Sequence, residues 1–146
     1  LNYLIREYFH DRVPVLHSDG TQVRDYINVD DIIKLFFKII DKPSKEIFNV
    51  CSGQLLSVNK MLEYVCKYFG KDPSRAIWNK PENLWNSYAE LFNTEFPLNK
   101  ERVAKETLKY SLGDNTKIKN YYDWNPDINF ERLISETIKK SVTRIT

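Results

Sequence analysis

Arg24 stands in the run His17-Ser18-Asp19-Gly20-Thr21-Gln22-Val23-Arg24-Asp25-Tyr26-Ile27-Asn28-Val29-Asp30-Asp31, the stretch of this chain best equipped for chemistry. A guanidinium presents its donors as a rigid fork that matches phosphate oxygens two at a time. Asp25, Asp30 and Asp31 offer it a second role, as one half of a fold-stabilising ion pair. From the residues alone both roles stand. Nothing beside Arg24 completes a nucleophilic or acid–base unit. His17 abuts Ser18 and Asp19, but neighbours on one turn cannot converge as a triad, which draws its members from separate segments. His10 is the other histidine. Glu101, Glu106 and the Asp30-Asp31 pair read as helix-surface or capping acids, and no His/Cys/carboxylate group has metal-ligand spacing.

The elements that must position Arg24 follow from local pattern. Residues 2–9 read as a helix that opens without a cap. Residues 13–16 are a short apolar strand, and Ser18-Asp19-Gly20 supplies the glycine that a tight turn needs. Tyr26-Ile27 resumes an extended pattern, and Asp30 or Asp31 then caps a helix over residues 30–41. That helix is apolar nearly all round: Ile32, Ile33, Leu35, Phe36, Phe37, Ile39 and Ile40 leave a narrow polar stripe at Asp31, Lys34, Lys38 and Asp41. Such a helix wants cover on several sides, so part of its surface is expected to face another domain. Lys42-Pro43-Ser44 ends it.

Residues 46–51 form a β-rich run broken by Ser52-Gly53. Ser57 caps an amphipathic helix with Val58, Met61, Leu62, Val65, Cys66 and Phe69 at helical spacing, stopped by Gly70. Residues 76–79 suggest one more strand. Residues 81–96 carry Trp85, Tyr88 and Phe92 at helix spacing, which fits a local packing helix better than a base-stacking platform. Residues 97–110 form a polar stretch, helical in its propensities, that carries Arg102. Asp114 caps a short helix through Tyr122, Trp124-Asn125-Pro126 terminates it, and residues 130–145 make the last helix with Leu133, Ile134, Ile138 and Val142 inward.

The whole is expected to be a small α/β domain with few short strands and four or five helices. At 146 residues it fits one domain and can bury a core. A net charge of +2, with basic and acidic residues interspersed, argues against nucleic acid and membrane surfaces as partners. No stretch approaches the roughly 18 apolar residues of a membrane span, and no signal-peptide pattern opens the chain. Cys51 and Cys66 read as reduced thiols of a cytoplasmic protein.

Three landmarks carry a family resemblance. The first is Asp19-Gly20-Thr21-Gln22-Val23-Arg24-Asp25-Tyr26-Ile27-Asn28-Val29-Asp30-Asp31. The second is Phe48-Asn49-Val50-Cys51-Ser52-Gly53 before Ser57-Val58, with Cys51 where glycine is common. The third is Asp114-Asn115-Thr116-Lys117 followed by Tyr122-Asp123-Trp124-Asn125-Pro126. Together they resemble the C-terminal part of an extended short-chain dehydrogenase/reductase, in the family of NAD-dependent nucleotide-sugar epimerases and dehydratases.

The resemblance implies a nucleotide-sugar-binding C-terminal domain over residues 1–146, with Arg24 on the diphosphate of a nucleoside-diphosphate sugar. It makes Arg102 a candidate second phosphate ligand, with Arg75 as its rival, because the usual Arg-x-Gly-Asp is absent. It puts Val15 and Leu16 on the strand that lines the nucleobase, although ordinary strand packing explains them equally well. In the intact enzyme it implies oxidation of the sugar by NAD, homodimeric assembly, and docking on the protein's own N-terminal Rossmann domain. The chain itself lacks what NAD requires. Its glycines, at 20, 53, 70 and 113, are too dispersed for a Gly-x-x-Gly-x-x-Gly turn. None of its tyrosines has lysine four positions on, so the family's Tyr-x-x-x-Lys pair is missing. Residues 1–146 are therefore expected to be a fragment, inactive alone and without bound cofactor. Two other classes fit the residues: a non-catalytic nucleotide-sugar-binding module, and an interaction domain that docks through helix 30–41.

Overall fold

The computed structural model describes residues 1–79 and 109–143. Its described part is α/β, with five α-helices, a short 3-10 turn and two small sheets. Helix α1 (Asn2–Phe9) turns Leu4, Ile5 and Tyr8 inward. Strand β1 (Val15–Leu16) pairs in parallel with β4 (Ile77–Trp78). Strand β2 (Val23–Asp25) is the centre of a three-stranded sheet, antiparallel to β3 (Leu55–Ser57) and parallel to β5 (Tyr110–Ser111). Helices α2 (Val29–Asp41), α3 (Val58–Phe69), α4 (Thr116–Tyr122) and α5 (Phe130–Val142) complete the set.

Two hydrophobic clusters hold these elements. The larger joins α1, α3 and α5 through Leu4, Ile5, Met61, Leu62, Val65, Cys66, Ile134 and Ile138, with Leu56 of β3 at its edge. The recurrence of apolar residues at three- and four-residue steps is what brings three helices onto one core. Ser57 caps α3 as its sequence predicts, its Oγ accepting the Lys60 N–H at 3.0 Å. Gly70 closes α3 at φ 63°, a left-handed position. The smaller cluster sets Leu35 of α2 against Ile118, Tyr122 and Trp124, with Phe48 packed alongside.

The structure departs from the sequence expectations at several boundaries. Asn28, rather than Asp30 or Asp31, caps α2, its Oδ1 accepting the Asp30 N–H at 3.2 Å. Asp31 is instead buried: its carboxylate accepts Lys34 Nζ at 2.9 Å and the Asp127 N–H at 2.8 Å, while its carbonyl accepts Trp124 Nε1 at 2.9 Å. Helix α4 begins after Asn115, although Asp114 Oδ1 still accepts the Thr116 N–H.

Residues 46–51 form no strand: no described segment pairs with them in a ladder. Side chains hold them instead: Lys117 Nζ donates to the Ile47 carbonyl, and Asn115 Nδ2 to the Cys51 carbonyl. The strand in this region is β3, which begins at Leu55, beyond the end of the expected run. Tyr110 belongs to a strand rather than to the polar stretch before it. Helix α5 stops at Val142, and within it Ile134 and Ile138 are buried while Leu133 is half-buried. The aromatic run at 81–96, and Arg102, lie outside the described residues.

One face of α2 has no cover among the described residues. Val29, Ile33, Phe36, Phe37 and Ile40 are exposed, Ile40 to 71%, as the apolar-all-round pattern predicts. No described helix is long and apolar enough to cross a membrane.

Candidate functional site

Arg24 reaches its place through the turn that precedes it. Ser18 Oγ accepts the Gly20 N–H, and Asp19 Oδ1 accepts the N–H and hydroxyl of Thr21, so both side chains beside His17 are spent on shaping the chain. Gly20 sits at φ 72°, and a Cβ there would fall 2.0 Å from Asn59 Oδ1. Only glycine satisfies both constraints. The chain then enters β2, where Arg24 lies between Leu56 of β3 and Ser111 of β5. Its Nη1 donates to the Val23 carbonyl at 2.9 Å.

The three aspartates that sequence offers as counter-ions each have other partners. Asp31 is held by Lys34 and by the turn at Asp127. Lys140 approaches Asp30 at 3.4 Å. Asp25 is the most heavily engaged. Its Oδ1 accepts the Ser52 N–H at 2.7 Å and the Ser52 hydroxyl at 2.6 Å, and its Oδ2 accepts the N–H of Gly53 at 2.9 Å and of Gly113 at 3.3 Å. Burial works to raise the Asp25 pKa, but these donors outweigh it and hold the carboxyl below its ordinary value. Sequence reading treated Asp25 as a possible partner for Arg24 and missed this role. The available signal was an acid immediately before an apolar pair, with Ser52-Gly53 as a later turn rich in free N–H groups.

Directly paired residues of an antiparallel ladder point to the same side of the sheet, so Arg24 shares a face with Leu56. Leu56 also lines a cleft of about 580 Å3, together with Met61, Ile134, Asn2, Tyr26 and Asn28; Arg24 itself is not part of that lining. Apolar walls with a few amides suit a ligand that needs placing. Among the described residues the cleft lining contains no carboxylate, histidine or lysine; Tyr26 and Thr137 supply its hydroxyls.

The other sequence candidates lie elsewhere. Val15 and Leu16 belong to the two-stranded sheet, both half-buried. The Tyr3 hydroxyl engages both backbone groups of Val15, donating to its carbonyl and accepting its N–H. Leu16 packs against the larger core beside Trp78. Arg75 ends the 3-10 turn Pro73–Arg75 and lines a separate hollow with Arg12, Lys71, Asp11 and Asp72. The described residues contain no group of histidines, cysteines and carboxylates fit for a metal. Nor do they fit NAD: Gly20, Gly53 and Gly70 are spent on isolated turns at positive φ, and none opens a strand-to-helix phosphate loop.

This architecture is that of the extended short-chain dehydrogenase/reductases. It superposes on the UDP-glucose 4-epimerase of Thermotoga maritima, solved with UDP-glucose, with a TM-score of 0.74 at 21% identity, covering 99% of this chain and 39% of that one. A UDP-glucuronic acid 4-epimerase from Bacillus cereus, solved with UDP-glucuronic acid and NAD, is similar at a TM-score of 0.65 and 19% identity over 94% of this chain and 38% of that one. Among sequences, the UDP-glucuronate 4-epimerase of Thermodesulfobacterium geofontis is 23% identical over 141 residues, 95% of this chain. The chain spans 36% of that relative's length. With residues 7–137 matching the model of the GDP-mannose 4,6 dehydratase family, the chain belongs to that family of nucleotide-sugar epimerases and dehydratases.

Proposed function

We propose that residues 1–146 are the substrate-binding, C-terminal part of an NAD-dependent nucleotide-sugar epimerase or dehydratase. Their task is to hold the diphosphate of a nucleoside-diphosphate sugar. The observation that supports this is Arg24 on the central strand, paired with Leu56, a residue of the cleft wall, although Arg24 is not itself in the lining. A guanidinium there can take two phosphate oxygens at once, and a fixed diphosphate fixes the sugar beyond it. In this reading the gain in rate comes from placement of the sugar. Arg102 is the second phosphate ligand in this scheme, and Val15 and Leu16 the strand beside the base.

NAD belongs to an N-terminal Rossmann domain, because the residues described here do not suit it. That domain covers the apolar face of α2. A match spanning little more than a third of a full-length relative supports a missing partner domain, and the exposed Phe36 and Phe37 support where it sits. The working enzyme is a homodimer in the cytoplasm, where two free cysteines stay reduced.

Reading the coding sequence upstream of Leu1 tests the proposal directly. A Gly-x-x-Gly-x-x-Gly turn and a Tyr-x-x-x-Lys pair in frame are expected, and the longer protein should turn over a nucleotide sugar with NAD. An upstream sequence without either motif would leave a binding module or an interaction domain.

A further inference from the structure

We infer that Asp25 is the positioning residue of the Arg24 site, an inference that rests on the phosphate-binding role proposed for Arg24. Successive residues of a strand point to opposite faces. Arg24 therefore points to one face of the sheet, the face shared with Leu56, while Asp25 points to the other. There its carboxylate collects Ser52 N–H, Ser52 Oγ–H, Gly53 N–H and Gly113 N–H, all within 3.3 Å.

The donors come from the turn that leads into β3 and from Gly113, two residues past β5. These are the two strands that flank Arg24, at Leu56 and Ser111. One carboxylate thus ties all three strands together one residue from the guanidinium. Three of its four donors are backbone groups, so the clamp fixes main chain rather than mobile side chains. The surroundings allow little slack. Ser52 is 1% exposed, and a Cβ on Gly113 would fall 2.4 Å from Cys51 Sγ.

Strand β2 has three residues. A ladder that short cannot hold a rigid fork to the tolerance a diphosphate needs without an outside anchor. Asp25 supplies it. It touches no ligand, and its effect on binding passes through Arg24.

The test is a double-mutant cycle on the full chain with calorimetric binding of UDP-, dTDP-, GDP- and CDP-glucose, followed with whichever the unsubstituted protein binds. Asp25→Asn keeps the shape but removes the charge and turns an amine toward backbone donors. It should weaken binding on the order of 10-fold at a temperature where melting curves show the variant fully folded. In an Arg24→Ala background the same change should cost no more than about twofold, since its route of action is gone. Ser52→Ala removes one donor of four and keeps the charge. It should weaken binding about threefold with the same non-additivity, which carries the test if Asp25→Asn does not fold. Additive losses, or unchanged affinity in both Asp25→Asn and Ser52→Ala, would overturn the inference and leave Arg24's role intact. Unchanged affinity in Arg24→Ala, or no binding of any of the four, would overturn the phosphate reading and this inference with it.

Discussion

At the level of single residues, Arg24 and Asp25 divide two tasks between opposite faces of one strand. On the proposed reading, Arg24→Ala removes a charge-assisted, two-point contact to the diphosphate. In the longer protein it should weaken nucleotide-sugar binding by roughly 1.5–3 kcal/mol, about 10- to 150-fold, with NAD affinity and melting temperature nearly unchanged. Arg24→Lys should recover part of this, because an ammonium carries the charge without the fork. A fall in melting temperature with intact substrate affinity would return Arg24 to a purely structural role. Asp25 makes a prediction of its own about acid. Its folded-state pKa is depressed, so the stability it contributes is fully present above the unfolded carboxylate value of about 3.9 and is lost as pH falls through the lower folded value. Denaturant melts from pH 6 down to acid should therefore show a steeper loss in the native protein than in Asp25→Asn. Parallel curves would mean that the Asp25 carboxylate adds no pH-dependent stability.

Among the elements, α2 is the one whose two sides have different fates. Leu35 is 1% exposed and packs on Ile118, Tyr122 and Trp124. On the other side Phe36, Phe37 and Ile40 are more than half exposed. Contiguous apolar surface of this kind favours association. Phe36→Ser combined with Phe37→Ser should reduce self-association and dye binding of the 146-residue chain, while changing its stability by no more than about 0.5 kcal/mol per site. In the longer protein the same pair should lower the melting temperature if the proposed N-terminal domain covers this face. Equal effects in both proteins would argue against a covering domain. The pattern of Ile32 to Ile40 disclosed this exposed face in advance, since no amphipathic stripe narrow enough for one neighbour could be drawn through it. The failed strand at 46–51 has a related reason. A β-rich run becomes a strand when another strand pairs with it, and none of the described strands does so.

For the molecule as a whole, two clusters organise the described residues: one of α1, α3 and α5, the other linking α2 to α4. The second bears the uncovered face. Calorimetry of the 146-residue chain should show no saturable NAD binding, given that no glycine here opens a phosphate loop and no Tyr-x-x-x-Lys pair exists. Adding the upstream portion should create NAD binding and raise the melting temperature through the α2 face. Micromolar, stoichiometric NAD binding by residues 1–146 alone would overturn the division of labour proposed for the protein.

The amino-acid sequence alone determined what depends on near neighbours. It carried the Ser57 and Gly70 boundaries of α3, the turn at Gly20, the inward residues Met61, Leu62, Val65 and Cys66, and the three landmarks that point to the family. Each is a matter of spacing within a few turns of chain, where propensity, capping and side-chain volume suffice. Tertiary structure decided what depends on partners remote in sequence. It made Asn28 the cap of α2 and drew Asp31 inward, because Trp124 and Asp127, more than ninety residues away, take the groups that Asp31 offers. It made Asp25 an anchor, because Ser52, Gly53 and Gly113 converge on one carboxylate only after the chain has folded. Hydrogen bonds between distant segments leave no periodicity behind them, and this is why the cap, the anchor and strand β3 had to be seen in three dimensions.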